Sequence, residues 1–278
     1  MDVSIPKQIT AISIIRTKFI NAVLWLILLA QISEKDINPR RQVNAKSPKH
    51  KDTSKVTRLL KDVPGVSSAT DARNFGSLPS SNQVCGYLQN WADAVIVRYP
   101  DITMLDKMAA AMTIPVINAL TNDNHPCEMM SDLYALSKVR ADYLKDEYLF
   151  VGADGNIGRA WKEASEALGF SLTQSSPAKY QISGIACNDN LKNALEGKDI
   201  ICTDSISSNM IGEFKDYQIS KDLMGVANKG AILNPCPPFY RGEEVTEDVI
   251  DSDYFVGYEF KQSLLKVQQA IMIYCLLN

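Results

Sequence analysis

Asn118-Ala-Leu-Thr-Asn-Asp-Asn-His125-Pro126-Cys127-Glu128-Met-Met-Ser-Asp132-Leu133 follows a short apolar run, Pro115-Val116-Ile117. The run reads as a buried strand, and the stretch after it leads into a helix that opens near Pro126, where a missing N–H costs nothing. A histidine therefore stands at a strand-to-helix corner. Such a corner presents unpaired backbone N–H groups and the positive end of a helix dipole, which suits an anion or a polarised carbonyl. The only other histidine, His50, lies in a polar stretch. A lone histidine beside a proline is more often a turn residue than a catalyst, so the weight falls on what the neighbouring strands end in.

Upstream, Ser80 to Trp91 has a helical pattern, Ala94-Val-Ile-Val97 is a short apolar strand ending in Arg98, and Asp101 to Ala111 is a helix. Strands alternating with helices imply a parallel sheet, with active residues at the carboxyl ends of strands. Arg98 and His125 both hold that position and would face one crevice. Downstream, Tyr148-Leu-Phe-Val-Gly152-Ala-Asp154-Gly155-Asn156-Ile-Gly158 reads as a strand and a glycine turn, followed by a helix from Ala160 to Leu168. An NAD-dependent oxidoreductase must be weighed here. However, the glycine spacing is not G-x-G-x-x-G, and the next strand, Phe170 to Gln174, ends without the acid that would hold a ribose. A tight turn with close helix–sheet packing explains the glycines better. Further strands run from Lys198 to Cys202, ending in Thr203-Asp204, and from Gly230 to Leu233, ending in Asn234-Pro-Cys236-Pro-Pro238. Cys236 is either a small buried filler or a site residue. The apolar helix Ser263 to Leu277 is expected to pack back on the first lobe.

With 278 residues and 46% hydrophobic content, the chain can bury a large core, in two lobes rather than one. A net charge of −3 gives no argument for nucleic acid or an acidic membrane surface as partner. Six cysteines without a C-x-x-C pair suggest free thiols in a reducing compartment, hence the cytoplasm, and neither a disulfide framework nor a metal site. The apolar run Phe19 to Ala30 is short for a bilayer span and lacks a good signal cleavage site. It reads as a buried helix fed by a strand at Gln8 to Ser13. Residues 34–68 are basic and interrupted by Pro39, Pro48 and Pro64, with one helical piece from Thr53 to Lys61. A solvated insertion is the plainer reading; the alternative is that its lysines fold over a phosphate site.

Asn118 to Leu133, the Gly152 to Gly158 turn, Thr203-Asp204 and above all Cys236-Pro-Pro-Phe-Tyr-Arg241-Gly-Glu-Glu-Val-Thr-Glu-Asp-Val-Ile-Asp251 resemble the aspartate/ornithine carbamoyltransferase family, closest to its ornithine branch. The resemblance runs from about residue 76 to the end. It implies two doubly wound α/β lobes with parallel sheets, residues 1–140 for carbamoyl phosphate and 141–278 for the amino acid, assembled as a homotrimer without cofactor or metal. Arg98 would then bind the phosphate and the carbamoyl oxygen, and His125 would donate to that oxygen. Asp204, Asn156 and Ser208 would hold the acceptor amino acid, with Cys236 beside its attacking amine.

The departures matter equally. The family's Ser-x-Arg-Thr phosphate signature is matched only by Ile14-Ile15-Arg16-Thr17, which keeps Arg16 and Thr17 as phosphate ligands but lacks the leading hydroxyls. The glutamine after His-Pro-x is Glu128, which could accept from the carbamoyl NH2 but would also repel phosphate. The branch's His-Cys-Leu-Pro is Pro235-Cys236-Pro237-Pro238, and a final-helix arginine falls on Leu264. Two functions follow: a divergent carbamoyltransferase acting on ornithine or a related amino acid, or a catalytically impaired relative serving as a binding or regulatory subunit.

Overall fold

The computed structural model describes residues 81–277. The Ile14–Thr17 segment with Arg16 and Thr17, the strand at Gln8 to Ser13, the apolar run Phe19 to Ala30, and the basic segment 34–68 lie outside the described residues.

The first described helix, α1 (Ser81–Leu88), leads to β1 (Val95–Arg98), α2 (Ile102–Ala111), β2 (Val116–Leu120) and α3 (Pro126–Val139). Asp101 starts α2 as its N-cap, accepting from the Thr103 N–H at 2.8 Å. β1 and β2 pair in parallel. β2 runs three residues past the apolar triplet, so Asn118 is a buried strand residue rather than part of the turn. Helix α8 (Ser263–Leu277) lies against α3, with Val267, Ala270 and Ile271 buried among Ile117, Cys127 and Tyr134.

Five parallel strands form the second sheet: β3 (Glu147–Val151), β4 (Ser171–Ser175), β5 (Ala186–Cys187), β6 (Ile200–Thr203) and β7 (Ile232–Pro235), in the order β5-β4-β3-β6-β7. Helix α4 (Asn156–Leu168) connects β3 to β4, α5 (Leu191–Leu195) connects β5 to β6, and the short α6 (Lys221–Met224) and α7 (Glu247–Ile250) precede and follow β7. The order reverses between β3 and β6, and in such sheets ligands bind outside the carboxyl ends at that reversal.

β3 and β6 are apolar on both faces because both faces are covered. Tyr148 and Phe150 point to Trp161, Ala160 and Leu133 on one side. Leu149, Val151 and Ile201 point to Leu195, Phe214 and Ile219 on the other.

The glycine turn after β3 earns its residues by packing. A Cβ on Gly158 would lie 2.6 Å from both Ile182 Cδ1 and Phe150 Cε1. Helix α4 starts at Asn156, four residues earlier than the sequence pattern suggests, and ends at Gly169 in the left-handed region with φ +78°. β7 starts at Ile232 rather than Gly230 because Gly230 has φ +81°, outside strand geometry. Among the described residues, no helix is long and apolar enough to cross a membrane.

Candidate active site

The corner between β2 and α3 is built around Thr121. Its backbone N–H donates to the Asn124 carbonyl at 2.9 Å, and its hydroxyl accepts from the N–H groups of Asn124 at 3.0 Å and Asp123 at 3.2 Å. Inside the helix, the Cys127 thiol donates to the Asn118 carbonyl at 3.3 Å. This closed turn delivers His125 as the residue that begins α3, half-buried and with no capping bond of its own. Its Nδ1 is buried without a hydrogen-bond partner. Burial lowers the His125 pKa; the charge of Glu128 pulls it back up and that of Arg98 lowers it further. The imidazole is therefore neutral near pH 7, with one N–H to give and one nitrogen to accept. Arg98 ends β1, is exposed, and lies near enough to act on His125 electrostatically.

The helix start after β3 is bonded to this corner through Asn156, and β7 is bonded to α3 through Asn234. Asp204 follows β6, with Oδ1 accepting its neighbour Ser205 N–H at 2.9 Å. Its Oδ2 would lie 3.9 Å from a Cβ on Gly155, so the side chain leans over the glycine turn at the sheet's reversal. Burial pushes its pKa up to about 6, against the pull of the Ser205 N–H. Cys236 follows β7, buried, and its thiol is held well above its ordinary pKa by burial and by the Asp204 charge. It is a protonated, weakly polar wall and not a thiolate nucleophile. The Asn156 amide donates to the Thr121 carbonyl at 2.8 Å, so its N–H ties the start of α4 to the His125 corner. Of the residues assigned to the acceptor, Ser208 is exposed in the turn beyond Asp204.

Sequence reasoning missed Lys261. It sits in the 3-10 turn Tyr258–Gln262 immediately before α8. Its ammonium lies 2.9 Å from Glu128 Oε1 and 2.5 Å from Asp132 Oδ1. Asp132 also accepts from the Asn234 amide at 2.8 Å, so α3, β7 and the final turn share one buried polar cluster. Burial alone would lower the lysine, but Asp132 and Glu128 outweigh it and hold Lys261 above its usual value. Asp132 is pushed up by burial, opposed by Lys261. Glu128 is consequently not the bare carboxylate that its place beside the phosphate site suggested. The partners are 133 residues apart, and nothing local marks them. Leu264, where the family's arginine would fall, is half-buried one turn further on.

Among the described residues, no group of three or more His, Cys, Asp or Glu side chains is placed to hold a metal ion.

Two family models match the chain in order. The carbamoyl-phosphate-binding domain of aspartate/ornithine carbamoyltransferase matches residues 56–138, and the Asp/Orn-binding domain matches residues 146–275. The first match begins beyond Arg16 and Thr17. The ornithine carbamoyltransferase of Methylobacillus flagellatus is 31% identical over 209 residues, covering 69% of this chain and 68% of its own. The crystal structure of ornithine carbamoyltransferase from Burkholderia thailandensis superimposes with a TM-score of 0.66 at 26% identity, covering 72% of this chain and 71% of its own. That of Thermus thermophilus gives a TM-score of 0.76 at 17% identity over 98% of this chain and 100% of its own, a likeness of fold. Both halves of the family's architecture are thus present in sequence and in shape, and the chain belongs to the aspartate/ornithine carbamoyltransferase family.

Proposed function

We propose that this chain transfers the carbamoyl group of carbamoyl phosphate to the amine of ornithine or a related amino acid, working as a homotrimer. The lobe up to residue 140 takes the donor and the remainder takes the acceptor. The observation that carries this reading is the bond from the Asn156 amide to the Thr121 carbonyl, which ties the turn at the sheet's reversal, with Asp204 leaning over it, to the His125 corner.

The chemistry asks for charge stabilisation rather than a covalent enzyme intermediate. The acceptor's neutral amine attacks the carbamoyl carbon, and a C–N bond forms as the carbonyl oxygen takes negative charge. The bond from carbon to the phosphate oxygen then breaks, phosphate leaves with the electron pair, and the nitrogen's surplus proton passes to phosphate or solvent. His125 donates to the developing oxyanion while Arg98 covers that oxygen and the leaving phosphate, its planar fork reaching two oxygens at once. Asp204, mostly ionised above pH 6, pairs with a cationic group of the acceptor. Cys236, kept as a thiol, lies beside the attacking amine. Arg16 and Thr17 are assigned to the phosphate by resemblance alone. The six free thiols suit a reducing compartment such as the cytoplasm.

Glu128 was one of the departures that pointed to an impaired relative, and its pairing with Lys261 weakens that reading. The test is an assay for ureido product from carbamoyl phosphate with ornithine and with a panel of other amino acids, alongside sedimentation to read subunit number. Product with one acceptor from a trimer is expected. A folded protein that makes none with any acceptor ends the proposal.

A further inference from the structure

The Lys261 cluster sets two carboxylates against one ammonium, all three side chains substantially buried. As a stabilising device this is poor, because desolvating three charges costs about as much as their attraction returns. Its position supplies a better reason. Glu128 is in the first turn of α3, three residues after His125, and His125 responds to the charges of Glu128, Arg98 and Lys261. On the far side, Cys236 responds to Lys261, Glu128 and Asp132. Through Asp132 the cluster also reaches Asn234, two residues before Cys236, so it joins the helix that His125 begins to the strand that Cys236 follows. Lys261 engages Oε1 of Glu128 at 2.9 Å and, more closely, Oδ1 of Asp132 at 2.5 Å, while the other oxygen of Asp132 accepts from the Asn234 amide.

We infer that Lys261 is a positioning residue for the donor: the ammonium it shares between Asp132 and Glu128 offsets part of the Glu128 charge, which lets that carboxylate accept a hydrogen bond from the carbamoyl NH2 while the phosphate group occupies the same crevice. The inference rests on the carbamoyl-transfer reading. An unpaired carboxylate would repel a phosphate bearing nearly two negative charges, and in a partly desolvated site that repulsion is several times stronger than in water. With Lys261 in place, Glu128 keeps its acceptor oxygens and repels the phosphate less than an unpaired carboxylate would. The chain thereby uses a charged pair where a neutral amide side chain would do the same task alone.

The experiment compares the parent protein with Lys261→Met, Glu128→Gln and the double variant, measuring KM for carbamoyl phosphate, KM for the acceptor, and binding of carbamoyl phosphate and of inorganic phosphate by calorimetry. Lys261→Met is expected to raise the donor KM by about 30-fold or more and to weaken both anions together, with the acceptor KM within about threefold of the parent. Adding Glu128→Gln to Lys261→Met should lower the donor KM at least about threefold from that of Lys261→Met, since the amide still accepts but no longer repels, while Asp132 lacks its lysine in both variants. A purely structural role would instead lower stability without separating the two KM values. A folded Lys261→Met protein with parental donor KM overturns the inference, as does a double variant no better than Lys261→Met. If Lys261→Met does not fold, Glu128→Ala decides: its donor KM should rise about tenfold, and a parental value overturns the inference. A parent protein that binds no carbamoyl phosphate overturns the function itself and the inference with it, whereas a binding parent with indifferent variants overturns the inference alone.

Discussion

Replacing Asp204 with asparagine should stabilise the ligand-free protein while impairing its use of the acceptor. Burial raises this carboxyl from 3.8 to about 6, so the folded state holds the proton more tightly than the unfolded chain does. The stability contributed by the protonated group is fully present below about pH 4 and is lost as pH rises through about 6. Above that, the ionised, half-buried carboxylate costs the fold up to about 3 kcal/mol, the equivalent of the interval from 3.8 to about 6. Asp204→Asn removes this titration. At pH 8 the variant should therefore be the more stable protein by as much as about 3 kcal/mol, or up to about 10 °C in melting temperature for a chain of this size. About half of the gap should remain at pH 5, and it should be nearly gone at pH 4. Denaturant melts of both proteins at equal concentration across this pH range measure it, and the acceptor KM measured alongside should rise in the variant. A stability gap that does not change with pH, or a variant less stable at pH 8, would refute burial as the cause.

Glu244 makes the same case from a deeper position. It is 2% exposed, its Oε1 accepts from the Tyr240 N–H, its Oε2 has no partner, and burial pushes it up to about 7. Glu244→Gln should stabilise the protein at pH 8 by up to about 3 kcal/mol, the gap shrinking as pH falls toward 4.5, as read by the same melts. Gly158→Ala should cost about 1–3 kcal/mol in denaturant unfolding, because the new methyl would meet the Ile182 and Phe150 side chains at 2.6 Å. His125→Ala should lower kcat by about 10²–10³ with little change in melting temperature, since His125 caps nothing and packs only at the corner.

The parallel architecture was legible because β1, β2, β3, β6 and β7 each carry a short apolar run and the longer helices a periodic one; the two-residue β5 and the short α5 leave no such pattern. Arg98, Asp204 and Cys236 stand at or directly after strand ends, as the pattern implies, whereas His125 lies five residues beyond the end of β2, at the start of α3. Helix α8 was legible to the residue from its strongly apolar composition. Strand limits were less so. Asn118 looks like a turn residue but lies in β2, and Gly230 looks like a strand residue but its positive φ excludes it. The site's electrostatics were not legible at all. Glu128 reads locally as a liability, and the charge that answers it comes from Lys261, contributed by a turn that only the folded chain brings beneath α3. Long-range pairings of this kind leave no periodic trace, so one chain read alone shows the carboxylate without its partner.

Calorimetric titration of the purified protein with carbamoyl phosphate, beside inorganic phosphate and with Arg98→Ala as control, tests the central claim most directly. Saturable binding of carbamoyl phosphate that Arg98→Ala abolishes is the expected result. A folded protein that takes up no carbamoyl phosphate, or an Arg98→Ala variant that binds it as the parent does, would contradict the claim.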